Sequence, residues 1–125
     1  MATILIVEDN PDNMKLFRTV LAARGHTILE LSGGERLLGT LRATPPDLVL
    51  LDIQLPGADG FQLIQRMQRE MTRLPPVVAL TAHAMAGDRE RAIAAGFDGY
   101  LTKPIDVATF GKTIENFLRQ VRGER

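Results

Sequence analysis

The sequence predicts an α/β fold, a parallel sheet with helices on both faces, and three observations carry that expectation. Short uninterrupted apolar runs recur along the chain, such as Leu48-Val49-Leu50-Leu51 and Val77-Val78-Ala79-Leu80. Runs of this length without alternation are the habit of strands buried on both faces, as in parallel sheets. Each run is followed by a stretch with helical spacing, so strand and helix alternate five times. Gly and Pro punctuate the junctions and keep them short, which implies right-handed crossovers.

Taken in order, Thr3-Ile4-Leu5-Ile6-Val7 is the first strand and runs into Glu8-Asp9-Asn10. Pro11 suits the first helical position with Asn10 as its cap. Met14, Phe17, Val20, Leu21 and Arg24 then recur at helical spacing until Gly25 closes the helix. His26 falls between helix and strand and reads as a surface loop residue. Thr27 to Leu31 alternates more and is less apolar, which suits a strand nearer the sheet edge. Ser32-Gly33-Gly34 is a turn, and Leu37, Leu38 and Leu41 mark a short helix ended by Pro45-Pro46.

The central strand follows and ends in Asp52. Pro56-Gly57 and Asp59-Gly60 break the chain, and those glycines read as turn residues. The next helix has Phe61, Ile64, Met67, Gln68 and Met71 as its buried stripe. After Pro75-Pro76, the fourth strand ends in Thr81. A helix rich in small residues runs around Asp88 to Ala95 and stops at Gly96. Gly99 to Thr102 is a short strand ending in Lys103-Pro104. The last helix carries Val107, Phe110, Ile114, Phe117, Leu118 and Val121 on one face. No repeat, linker or low-complexity tract interrupts the pattern, so residues 1–125 are expected to form a single domain.

Composition narrows the function. Lys and Arg together number 15, as do Asp and Glu, so the formal net charge is zero. That balance lacks the basic footprint of a nucleic-acid binder. There is no Cys, which excludes disulfides, thiol catalysis and thiolate metal sites. No segment reaches the roughly 18 apolar residues of a membrane span, and no signal-peptide pattern opens the chain. A cytoplasmic monomer is the expectation. The scattered Met residues read as core fillers.

The carboxyl ends of strands one, three, four and five carry Glu8-Asp9, Asp52, Thr81 and Lys103. In a parallel sheet these ends share one edge, the edge where open α/β folds bind ligands. Each residue alone has an ordinary reading: a helix cap, a turn starter, a strand-end hydroxyl, a solvated turn. Together they bring three carboxylates, a hydroxyl and an ammonium to one place. The carboxylates repel and each resists desolvation, which a divalent cation with oxygen ligands relieves. Mg²⁺, or Mn²⁺, beside a Lys and a hydroxyl suits a phosphoryl group.

Along its whole length the sequence resembles the CheY-like receiver domains of two-component response regulators. The matching motifs are Val7-Glu8-Asp9-Asn10, Leu51-Asp52-Ile53-Gln54-Leu55-Pro56-Gly57, Leu80-Thr81-Ala82 and Lys103-Pro104. The resemblance implies a doubly wound, flavodoxin-like five-stranded sheet in the order 2-1-3-4-5. It implies that Asp52 accepts a phosphoryl group from a histidine kinase or a histidine phosphotransfer protein. Asp9 would ligate the metal directly and Glu8 through water, with Asp52 and the backbone carbonyl of Gln54 completing the ligands. Thr81 and Lys103 would bind phosphoryl oxygens, Tyr100 would report the phosphorylation state, and Ala82 would leave the group accessible. The Lys103–Pro104 bond is expected to be cis. Gln54 and His83 occupy positions where side chains tune dephosphorylation.

Within the family, the resemblance is to single-domain regulators of cell-cycle or developmental relays. A Met1 start and a last helix near the end of the chain favour a stand-alone protein over a receiver domain excised from a hybrid kinase. Signalling would then run through a downstream protein partner, by way of the face made by the fourth helix, fifth strand and fifth helix. The rival from another class is a small phosphatase with Asp52 as nucleophile. Haloacid-dehalogenase-type phosphatases carry a second Asp two residues on, where this chain has Gln54. A flavodoxin-like electron carrier is disfavoured, because the first strand leads into acids rather than a glycine loop and Trp is absent.

Overall fold

The computed structural model describes residues 2–82 and 86–123, with the side chains of Ala58 and residues 121–123 left aside. His83 and the side chain of Val121 lie outside the described residues. Five strands, β1 (Thr3–Val7), β2 (Thr27–Leu31), β3 (Leu48–Asp52), β4 (Val77–Thr81) and β5 (Gly99–Thr102), form one parallel sheet in the order β2-β1-β3-β4-β5. Between and after them run α1 (Pro11–Ala23), α2 (Leu37–Ala43), α3 (Gly60–Glu70), α4 (Asp88–Ala95) and α5 (Val107–Gly123). The doubly wound order expected from the sequence is the order observed.

The two-residue period of the strands sorts the core into two layers. Leu5, Val7, Val49, Leu51, Val77 and Ala79 pack with α2, α3 and α4 through Leu37, Ile64, Met67 and Ala92. Ile4, Ile6, Leu48, Leu50, Val78 and Leu80 pack with α1 and α5 through Phe17, Leu21, Phe110 and Ile114. Every residue of β3 and β4 is buried, whereas edge strand β2 is only partly so. Each fully buried aliphatic side chain contributes about 1.5–3 kcal/mol relative to exposure.

Local chemistry sets the element ends. Asn10 Oδ1 accepts from the N–H groups of Asp12 and Asn13 at 2.9 and 3.0 Å and caps α1. Asp59 and Gln62 form a capping box at α3. Two acids pin the starts of neighbouring strands. Asp47 accepts from Thr3 N–H at 2.8 Å and Asp98 accepts from Val77 N–H at 2.8 Å, so donors at the strand entrances are satisfied. Gly96 closes α4 with a φ of +113°, a conformation in which a Cβ is strained.

The structure corrects several sequence-based expectations. Residues 54–59, read as a plain break, form a hairpin in which Gln54–Leu55 pairs antiparallel with Ala58–Asp59. Gly60 is not a turn glycine but the first residue of α3, where a Cβ would lie 2.5 Å from Ile53 Cα. On α3, Leu63 takes the buried place assigned to Gln68. Gln68 is exposed and donates instead to the Ala95 carbonyl at 3.1 Å, tying α3 to the end of α4. Val107 is 51% exposed, because it sits at the free first turn of α5 before the helix meets the sheet.

His26 lies in the loop between α1 and β2 as expected, but its side chain is not at the surface. Its side chain is only 7% exposed, with Nε2 3.0 Å from Glu115 Oε2. Nδ1 accepts from Ala2 N–H at 3.1 Å, which places the ring proton on Nε2, facing the carboxylate. Arg24, the residue that caps the end of α1, lies across Gly111 of α5 and grips Glu115 with two hydrogen bonds of 2.8 Å. The Glu115 carboxyl is thereby lowered to about 2, first by Arg24 and then by His26.

A carboxyl with a depressed folded-state pKa contributes stability that is complete above its ordinary value of 4.5 and is lost as pH falls through the folded value. Glu115→Gln is therefore expected to lower the thermal midpoint at pH 7. The gap to wild type should close as the pH falls from 4.5 toward about 2. A gap that stays constant through this range in calorimetry would show that the carboxylate charge contributes nothing to joining α1 and α5.

Candidate functional site

Sheet register brings the site together. Val7 pairs with Leu51, so Glu8 emerges beside Asp52. Asp52 pairs with Leu80, and Thr81 pairs with Thr102, so Thr81 and Lys103 follow one step further along the same edge. The ladder extends past the strands through Glu8 N–H to the Leu31 carbonyl and Lys103 N–H to the Thr81 carbonyl. Residues far apart in sequence are thus aligned by the backbone bonds of the sheet.

Alternation then separates the side chains by face. Glu8, Asp52 and Lys103 continue the α1/α5 face of their strands, whereas Thr81 and Tyr100 continue the α3/α4 face. On the first face, Lys103 Nζ lies 2.7 Å from Glu8 Oε1 and 2.7 Å from Asp52 Oδ2. The ammonium is the one partner of Glu8 Oε1 among the described residues. Asp52 Oδ1 accepts from Gln54 N–H at 2.8 Å and Glu8 Oε2 accepts from Asn10 N–H at 3.1 Å. Glu8 and Asp52 are both 2% exposed, and Asp9 stands exposed beside them.

The electrostatics follow from that burial. Desolvation raises the Glu8 carboxyl above its ordinary value, and the neighbouring Asp52 charge adds to it, against the opposing bonds from Lys103 and Asn10. Burial alone would lower the Lys103 ammonium, but its bonds to Asp52 and Glu8 outweigh this and raise it. Lys103 therefore stays protonated at neutral pH. Carboxylate oxygens of Glu8, Asp9 and Asp52 lie within 4.8 Å of one another. With all three ionised and Lys103 charged, the cluster carries two surplus negative charges, which one divalent cation would cancel. Hard oxygen donors at this spacing, one of them exposed to water, fit Mg²⁺ or Mn²⁺.

On the second face, Thr81 is fully buried, and Tyr100 packs half-buried against the cluster under α3 and α4. Its hydroxyl is buried without a hydrogen-bond partner among the described residues, and burial together with Asp88 and Glu90 raises its pKa. The Lys103–Pro104 peptide bond is cis.

A sequence profile of the response regulator receiver domain matches residues 4–115. The chain belongs to the receiver domain family of response regulators. It is 42% identical over 117 residues to the polar-differentiation response regulator DivK of Brucella ovis, an alignment covering 93% of this chain and 95% of that protein. Among solved structures, a response regulator receiver protein from Burkholderia phymatum superposes with a TM-score of 0.80 at 34% identity, covering 94% of this chain and 95% of the other. A CheY-like receiver domain protein from Methanospirillum hungatei gives 0.88 at 22% identity over 100% of this chain and 99% of the other, a likeness of fold.

In this receiver domain, Glu8, Asp9, Asp52 and Lys103 form one cluster, as sequence reasoning grouped them. Thr81 reaches the same edge from the opposite face of the sheet. Two contacts were not anticipated: the Glu8–Lys103 ion pair, and a hydrogen bond from Ala82 N–H to Gln54 Oε1 at 3.1 Å. Neither leaves a signal in the sequence, since each joins residues dozens of positions apart. Among the described residues, no helix is long and apolar enough to cross a membrane.

Proposed function

We propose that Asp52 is the phosphoacceptor of this signalling switch and that the cluster around it performs the transfer. A carboxylate oxygen of Asp52 attacks the phosphorus of a phosphohistidine. An O–P bond forms, the P–N bond breaks, and the imidazole leaves with the electron pair and takes up a proton. Gln54 N–H on Oδ1 and Lys103 on Oδ2 hold the carboxylate in one orientation, which is the observation that carries this reading. Lys103 then supplies positive charge to the phosphoryl oxygens, and the Thr81 hydroxyl supplies a donor. Glu8, Asp9, Asp52 and the Gln54 carbonyl would hold Mg²⁺ or Mn²⁺, whose charge would offset the repulsion between carboxylate and phosphoryl group.

The donor would be a histidine kinase or a histidine phosphotransfer protein. Residues 1–125 would act as one cytoplasmic, monomeric receiver domain whose chemistry is confined to its own phosphorylation and dephosphorylation. It would signal through a downstream protein, as its likeness to a polar-differentiation regulator supports. Incubation with acetyl phosphate and Mg²⁺ followed by intact mass tests the reading: one labile phosphoryl group per chain is expected. Many turnovers of simple esters would instead indicate a phosphatase.

Output would pass through Thr81 and Tyr100 to the face made by α4, β5 and α5. When the Thr81 hydroxyl turns toward the phosphoryl group it vacates space for the Tyr100 ring, a two-state element biased by a local charge. In α4, Ala92, Ala94 and Ala95 leave room for adjustment. Adding beryllofluoride, a phosphoryl mimic, should move amide resonances between Thr81 and Pro104. Changes confined to the loop after Asp52 would refute this route.

A further inference from the structure

Gln54 makes two different bonds at the site. Its backbone N–H donates to Asp52 Oδ1 at 2.8 Å, while its side-chain Oε1 accepts from Ala82 N–H at 3.1 Å. The second bond ties the loop after β3 to the loop after β4. Ala82 directly follows Thr81, at the edge where the Asp52 carboxylate lies, and the peptide that carries its N–H is fixed because the Thr81 carbonyl accepts from Lys103 N–H at 2.8 Å. Backbone donors of this kind are the groups best suited to a developing oxyanion, because they need no reorganisation when charge arrives. Here that donor is occupied by a neutral amide oxygen.

We propose that the Gln54 carboxamide is a latch: it caps the Ala82 N–H and must release it before that N–H can donate to a phosphoryl oxygen, so that Gln54 sets how readily Asp52 gains the group. This rests on Asp52 being the acceptor, as proposed above. It differs from the tuning of phosphoryl loss that the resemblance attaches to position 54. The latch acts on gain, through a bond already made in the unphosphorylated protein. The exchange runs downhill, because a hydrogen bond to an ionised oxygen is about twice as strong as one between neutral groups.

The released carboxamide has a place to go. A cavity of about 270 Å³ adjoins Gln54 and Thr81 and is walled by Asp59, Phe61, Asp88 and Arg91. Arg91 lies over the Phe61 ring at 4.2 Å, which holds the guanidinium as one wall. Capture of the phosphoryl group and release of Ala82 N–H by Gln54 then become one event, and Gln54 is the positioning residue that couples them.

Two variants test this. Gln54→Met keeps the length of the side chain but lacks the amide acceptor, and Gln54→Ala removes the bulk as well. In the unphosphorylated protein, both should shift the Ala82 amide proton upfield and speed its exchange with solvent. With Mg²⁺ present, both should bind beryllofluoride about fivefold more tightly, the effect of one lost hydrogen bond, and acetyl phosphate labelling should quicken by a similar factor. If Gln54→Met matches wild type while Gln54→Ala gains, bulk is what matters and the latch is overturned. An unmoved Ala82 amide in both variants overturns it as well. Should no protein take phosphate on Asp52, the acceptor reading fails and the latch with it; should wild type be labelled while neither variant is labelled faster, the latch alone fails.

Discussion

Asp52→Asn is expected to reduce phosphoryl uptake from acetyl phosphate by at least about three orders of magnitude, as losing a covalent nucleophile does. The substitution keeps size and shape, and the carboxamide oxygen can still accept from Gln54 N–H. What it loses is the anionic oxygen 2.7 Å from Lys103 Nζ. The amide nitrogen facing that ammonium is a poor partner, so Lys103 would rely on Glu8 alone. Removing one partner of a buried ion pair is destabilising, and a denaturant midpoint measured alongside intact mass separates lost chemistry from lost fold. Labelling of the folded variant at the wild-type rate would disprove the assignment. It would direct attention to Asp9, the exposed carboxylate of the same cluster.

Labelling should also stop in excess chelator, and Asp9→Asn should raise the Mg²⁺ concentration for half-maximal labelling by about tenfold or more. Asp9 is the informative ligand to change. It is exposed, so its charge can be removed with little penalty to the fold, whereas Glu8 is buried and paired with Lys103. The substitution lowers the surplus negative charge of the cluster from two to one and replaces an anionic oxygen donor by a neutral carboxamide oxygen. Both changes weaken the hold on a divalent ion, and neither touches Asp52 or Lys103. A Mg²⁺ titration followed by intact mass reads the effect. Persistence of labelling in chelator would mean that Lys103 alone overcomes the repulsion between carboxylate and phosphoryl group.

Strand identity, strand ends and the carboxylates at those ends were legible because their signals are local. An apolar run of four residues, a proline at a helix start or a glycine after one acts through its own backbone and nearest neighbours. Alternation is local too, and it would have shown that Glu8, Asp52 and Lys103 face one way while Thr81 and Tyr100 face the other. Burial of individual side chains was less legible. Gln68 and Leu63 lie on opposite flanks of the Ile64–Met67 stripe of α3, and only tertiary packing covers Leu63 and leaves Gln68 to reach the end of α4.

What the tertiary structure alone decided are the contacts between distant residues. Lys103 spans Glu8 and Asp52, Gln54 caps Ala82, and His26 meets Glu115 across 89 positions. Each depends on the register of the sheet and the docking of helices, which bring polar groups within 3 Å or so only after the apolar layers have packed. The sequence by itself determined that an acidic edge with a lysine would form. The fold decided that the lysine sits between two of its carboxylates, and that a glutamine side chain holds the neighbouring amide. Hydrogen bonds between residues far apart in sequence follow from packing geometry, and no local pattern encodes them.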